Sequence, residues 1–318
     1  MSKNANTTSI AQNVKIRDFC GKRKVFFMIS AILIVCTLIS SFLFGVGVSI
    51  EFKGGTIATY SYEGNISESD LTKLVSDTLG VSAKAQLGET FTGENKTSFS
   101  ISFSMDKPFD VKLQDELNKA LAEQYPNAKI ELLECNDIAP ASGKQFFAKW
   151  IVAAIFAAIV LILYIAWRFK RISGWSAGIF AVVTLLHDLC LVFGAFVVCG
   201  FEIDSNFMAV ILTILGYSVN DTIVIYDRIR ENQKLMSKAP ITELVNTSLS
   251  QTMRRTLRTS ITTIGALLVV TVVAAISNLS SILSFSIPMI VGMIAGCYSS
   301  LCFAPMLWVT WKTRNKKA

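Results

Sequence analysis

Histidine is almost missing from this chain: His187 is the only one among 318 residues. That argues against a metal site built on several imidazoles. Charge is also scarce, at 17% of residues against 52% hydrophobic, and the mean hydropathy is +0.50. Such a composition is too apolar for an ordinary soluble domain and fits a membrane protein with a modest soluble part. There is no CxxC among the seven cysteines. Cys36, Cys190, Cys199, Cys297 and Cys302 fall in apolar runs, Cys20 lies just before one, and only Cys135 sits in a polar segment. No paired framework emerges, so neither disulfides nor a zinc site is expected. The net charge of +7 is carried mostly beside the apolar runs and forms no basic face on a soluble domain. A nucleic-acid partner is therefore not expected.

What is abundant is long apolar sequence. Six runs are long enough to cross roughly 30 Å of hydrocarbon: about 25–48, 146–167, 175–200, 207–226, 258–276 and 282–311. The first is longer than a signal-peptide core and no clear cleavage site follows it, so it reads as an uncleaved helix. The chain divides into an N-terminal segment (1–24), the first span (25–48), a polar segment (49–145), five spans (146–311) and a tail (312–318).

Lys and Arg are absent from the connections FEIDSN and ISNLSS. They crowd the alternate ones: Lys15 to Lys24 before the first span, Arg168 to Arg171, Arg228 to Arg258, and the terminal WKTRNKKA. By the positive-inside rule both termini are cytoplasmic and residues 49–145 lie outside.

Residues 49–145 alternate between strand and helix signals. Thr56–Tyr62 reads as a strand, and Ser67 to Asp70 could cap a helix whose apolar positions are Leu71, Leu74, Val75 and Leu79 and which ends at Gly80. Strands follow at Ala83–Leu87 and Thr97–Phe103, a helix at Phe109–Tyr125 with Val111 on its apolar face, and a last strand at Lys129–Leu133. The order β-α-β-β-α-β predicts a ferredoxin-like α+β domain between the first two spans. It contains no phosphate loop, catalytic triad or metal spacing, so it reads as a binding or docking module.

The spans carry polar groups that a bilayer penalises. A carboxylate at the bilayer centre costs about 2.5–3.5 kcal/mol on insertion scales, and such residues often mark an ion or proton route. His187 and Asp188 lie near the middle of the third span, and Asn220 and Asp221 lie within the fourth. Asp221 is about 21 Å from Phe207 along a helix, in its inner half. Asp221, Ile225 and Arg228 share one face by spacing. Asp227 falls at the cytoplasmic interface, where a solvated charge is expected. The fifth run opens with Arg255 and Arg258, three apart, and a row of hydroxyls that suggests a packed, hydrogen-bonded or wet interface. Each group has a plain structural reading: a hydrogen bond between helices for His187 and Asp188, a static ion pair with an arginine for Asp221, and snorkelling for the arginines. Gly292 and Gly296 in the sixth run form a candidate packing face.

These residues resemble the SecF family, the smaller membrane subunits of bacterial SecDF protein-export complexes in the RND superfamily. The likeness rests on Glu51, Phe52, Gly54, Gly55 and Thr56 after the first span, and on His187 and Asp188 in the third. It continues through Gly216, Tyr217, Ser218, Asn220, Asp221 and Thr222 to Asp227 and Arg228, and then from Asn246 to Thr263. Glu51 departs from the pattern, since the family usually has Asp there.

The resemblance implies a half of an RND-type transporter, in a bacterial cell membrane. Its partners would be SecD, the SecYEG channel, other Sec-associated subunits such as YajC, and the unfolded polypeptide in transit. It implies no enzyme chemistry and no cofactor beyond a coupling ion, a proton or in its place sodium. The family's membrane carboxylate maps to Asp221 and its fifth-span arginine to Arg255, with Arg258 second. Other readings are half of an RND-type exporter of small molecules or lipids, a scaffold without proton coupling, and an intramembrane aspartyl protease. Gly-Tyr-Ser-Val-Asn-Asp is not the Gly-x-Gly-Asp a protease of that kind needs.

Overall fold

The structure is a computed structural model that describes residues 15–89, 97–104, 110–138, 140–170, 174–277 and 279–315. Arg171, Phe109 and the last two lysines of the tail lie outside the described residues. The elements run α1 (Arg23–Phe44), α2 (Ile50–Lys53), β1 (Gly55–Tyr62), α3 (Glu68–Leu79), β2 (Ala83–Glu89), β3 (Thr97–Phe103), α4 (Val111–Gln124), β4 (Glu131–Ile138) and α5 (Pro140–Arg168). Then come α6 (Gly174–Val198), α7 (Ser205–Leu235), α8 (Ile241–Ile276), α9 (Ser280–Tyr298), a π-helical turn (Ser299–Phe303) and α10 (Ala304–Asn315). Among the described residues, six helices, the last of them running from α9 through α10, are long and apolar enough to cross a membrane.

The small domain is a four-stranded antiparallel sheet in the order β2-β3-β1-β4. Alternation decides its inner face. Ala58 pairs with Ile101 and Tyr60 with Phe99, and all four are buried against Leu71 and Val75 of α3 and Leu117 and Leu121 of α4. Tyr60 and Phe99 stack with ring centroids 5.3 Å apart, an arrangement that adds to their area burial.

The structure corrects three local expectations. Ser67 makes no capping bond to the backbone; its hydroxyl pairs with that of Ser69 instead. Val111 is 72% exposed rather than part of the apolar face, because the helix begins at that residue, with Asp110 as its cap. The last strand is longer than expected and runs to Ile138. Its second half, Cys135 to Asp137, lacks a clean apolar alternation because β4 is an edge strand with much of it exposed.

Burial separates the membrane helices into two groups. More than half of the most apolar stretch of α6 is buried within the chain (56%), whereas only 11% of that of α8 is. Helices α6, α7 and α9 form the interior, with α9 pressed on both of the others. A methyl on Gly292 would land 2.7 Å from Ile214 of α7 and from Val192 of α6, so only a glycine lets the helices approach this closely. Helix α8 starts at Ile241, well before its apolar run. Its polar first turns hold the N-terminal segment: the Asn246 side chain accepts from the Phe19 and Cys20 amides, both at 3.0 Å, and donates to Asp18.

Candidate functional site

The interior polar cluster is built around Asp188. His187 and Asp188 lie mid-way along α6 and are 3% and 0% exposed. His187 Nδ1 is 3.0 Å from Asp188 Oδ1. The other carboxylate oxygen accepts from Ser218 Oγ on α7 at 2.6 Å and from Ser299 Oγ at 2.7 Å. Ser299 opens the π-helical turn, and its neighbour Ser300 bonds Thr222 Oγ1 at 3.1 Å and donates to the Ser218 carbonyl. Pro305 explains why the turn widens there. It has no N–H to bond four residues back, and the Ala304 amide reaches five back to the Ser299 carbonyl. The wide turn aims two successive serines at α6 and α7. The His187 ring stacks on Phe303 at 4.9 Å, and its Nε2 has no hydrogen-bond partner.

Asp221 has a different setting less than one turn further along α7. It is 5% exposed, yet its Oδ2 has no hydrogen-bond partner. Arg255 of α8 is near enough to act on it electrostatically, but no ion pair joins the two among the described residues. The static ion pair that is the plain structural reading of Asp221 is thus not formed: Arg255 is exposed, as is Arg258. Beside Asp221, Tyr217 donates to Ser260 Oγ at 3.0 Å, and Thr256 Oγ1 is buried without a partner. Asn220 is not part of this group; a neighbour in sequence points elsewhere on a helix, and it is exposed along with Gly216.

The hydroxyl row on α8 bonds largely to itself. Thr259, Thr262 and Thr263 donate to carbonyls three or four residues back. This local bonding satisfies a hydroxyl on a helix without a neighbour.

The charged cluster in the last turns of α7 clamps helices. Asp227 is not simply solvated: it pairs with Arg230 at 2.6 Å and with Arg168 of α5 at 3.4 Å. Arg228 donates to Gln251 of α8 at 2.7 Å and to Glu231. Asn232 donates to Ser248 and Gln251. At the other end of α7, Glu51 accepts from the Ser205 amide at 3.0 Å. Phe52 is buried, its ring edge-on to Phe147 at 6.1 Å. Gly54 and Gly55 have positive φ, and Thr56 donates to Asp137 at 2.6 Å.

The structure brings His187, Asp188, Ser218 and Thr222 into one cluster and places Asp221, Tyr217 and Arg255 on an adjoining face. Sequence reasoning missed Ser299 and Ser300. A Ser-Ser pair between Gly296 and Pro305 in an apolar span was the available signal for both. Gln251 lay within the motif run from Asn246 to Thr263, but its partner was not legible, since that is an arginine 23 residues away.

A polytopic helical membrane protein with a small sheet domain after its first span, and carboxylates buried among its inner helices, is the class this architecture defines. Residues 117–314 match the family model described as protein export membrane protein SecD/SecF, C-terminal. The protein translocase subunit SecF of Alicyclobacillus acidocaldarius is 32% identical over 94% of both chains. That of Anaerolinea thermophila is 30% identical over 93% of this chain and 94% of its own. The SecDF crystal structure from Thermus thermophilus superposes with a TM-score of 0.76 at 29% identity, covering 96% of this chain. This chain spans 40% of that longer one. The chain belongs to the SecD/SecF protein-export family, on its SecF side.

Proposed function

We propose that this chain works with a SecD-type partner in a bacterial cell membrane and uses the proton gradient to drive the late, outer stage of polypeptide translocation through SecYEG. The observation that carries the reading is Asp221: a nearly buried carboxylate with an unpartnered oxygen, on a helix whose adjoining face exposes Asn220, while Arg255 and Arg258 are exposed on α8. Polar side chains on a membrane surface need a protein neighbour or water. SecDF chains from Thermus thermophilus and Bacillus subtilis contain this chain's equivalent in 39% of their length, which supports a SecD-type half as that neighbour. YajC-like subunits are further partners in this reading.

In this reading the termini are cytoplasmic and the sheet domain is ferredoxin-like and extracytoplasmic, where it meets the emerging chain. The strand order supports the ferredoxin-like fold, and the loop charges support the orientation of the termini and of the sheet domain. A proton reaching Asp221 from outside neutralises it, loosens its electrostatic hold on Arg255 and lets α7 and α8 repack. The Asp188 cluster stays paired and acts as the fixed point. One proton crossing 100 mV releases about 2.3 kcal/mol, enough to shift a two-state domain movement appreciably.

The test is export of a secretory protein into inside-out vesicles containing the chain and its SecD partner, with ATP present and the gradient on or off. Asp221→Asn is expected to lose the gradient-dependent increment and keep the rest. Equal stimulation of wild type and variant would refute the assignment. A sodium gradient in place of the proton gradient separates the two coupling ions.

A further inference from the structure

The connector between α1 and β1 holds α7 more firmly than a linker needs to. Segment 47–49 pairs with Ile203: the Ile203 amide donates to the Gly47 carbonyl at 2.8 Å and the Ser49 amide to the Ile203 carbonyl at 3.0 Å. Ser49 then caps the single turn of α2. From α2, Glu51 reaches across to Ser205, accepting from its amide at 3.0 Å and facing its hydroxyl at 3.3 Å. Helix α7 already has a cap of its own, since Asp204 accepts from the Phe207 amide. Glu51 is therefore a second carboxylate at the same helix end, brought from 154 positions away, where the helix dipole favours it.

The other side of the connector is equally fixed. Phe52 is buried with Phe207 and Met208 of the first turns of α7. Gly55 has φ +150°, and a Cβ there would sit 2.5 Å from the Phe103 carbonyl oxygen, so the chain enters β1 in direct contact with β3. Thr56 ties β1 to β4 through Asp137. A second strut, Lys84 of β2 to Glu202 at 3.5 Å, is about one-third exposed at both ends and contributes less. Asp221 lies about 24 Å along α7 from Ser205, at about 1.5 Å per residue.

We infer that Glu51 is a positioning residue that fixes the outer end of α7 to the root of the sheet domain, so that displacement of the helix carrying Asp221 is handed directly to β1. The transmission half rests on the proton-coupled reading above; the anchoring half does not.

The test uses the full chain with its SecD partner and the variants Glu51→Ala and Glu51→Gln. Amide exchange over the start of α7, measured in nanodiscs without any gradient, is expected to rise about tenfold or more in Glu51→Ala. In vesicles the same variant loses gradient-stimulated export and keeps export driven by ATP alone. Glu51→Gln, whose Oε1 still accepts from Ser205, restores most of both. Unchanged exchange in Glu51→Ala overturns the anchor. A proportional loss of export with and without the gradient overturns the transmission. Wild-type vesicles that ignore the gradient would sink the proton reading, and the exchange measurement would still decide the anchor.

Discussion

Asp188 and Asp221 are both hidden in the same bundle, and they are held in opposite ways. Asp188 takes two hydroxyl donors and a histidine, all from the interior helices and the π-helical turn. Asp221 has an oxygen with no partner, and the arginine nearest in charge stays exposed. Removing a buried acceptor strands its donors, whereas removing an unpartnered carboxylate strands nothing. The two regions therefore differ in kind: one fixes the helices, and in the proposed cycle the other changes charge.

The strongest way to break this contrast is to replace each by leucine. Asp188→Leu leaves Ser218, Ser299 and His187 without their acceptor and should cost at least about 2 kcal/mol, read as a lowered melting temperature in detergent. Asp221→Leu should melt no lower than wild type and still lose gradient-stimulated export. If both variants melted together, well below wild type, Asp221 would belong to the scaffold.

Glycines sharpen the comparison with a smaller effect. Gly292 lies in the interior, where a methyl would meet Ile214 and Val192 at 2.7 Å, so Gly292→Ala should destabilise by about 1–3 kcal/mol. Gly216 has open space around it. Gly216→Ala should leave the isolated chain as stable as before, and its effect should appear in co-purification with the SecD partner. A stable complex formed equally well by Gly216→Ala would mean that the partner sits elsewhere.

Much of this division was legible in the sequence, and its limits are physical. Periodicity and turn residues located β1, β3 and α3, because each buries one regular face. The end of β4 was not legible, since an edge strand can carry Asn136 and Asp137 without burying them. Spacing put Asp221 and Arg228 on one face of α7, and the motif residues marked His187 and Asp188. Spacing within one helix says nothing of the neighbour across the gap. Arg228 turned to Gln251, and Asp188 found Ser299, a residue 111 positions away presented by a π-helical turn. A resemblance also identifies a residue without its state, and the pair expected between Asp221 and Arg255 is open here.

The weakest expected effect lies outside the membrane and completes the series of carboxylates. Asp18 accepts from the Gly21 amide and from Asn246, and these bonds lower its pKa below the ordinary carboxylate value. A lowered folded-state pKa means that the ionised form is favoured by folding. The contribution is present above the unfolded value of about 3.9 and is lost as pH falls through the lowered folded value. Asp18 is in water, so the effect on global stability is small, and the readout must be local. Exchange of the Phe19 and Cys20 amides, which Asn246 holds, is expected to rise as Asp18 protonates, after correction for the intrinsic pH dependence of exchange. Asp18→Asn should bring the same rise at neutral pH. If acid left those amides protected, Asn246 alone would hold the segment, and the Asp18 contact would follow from that order rather than create it.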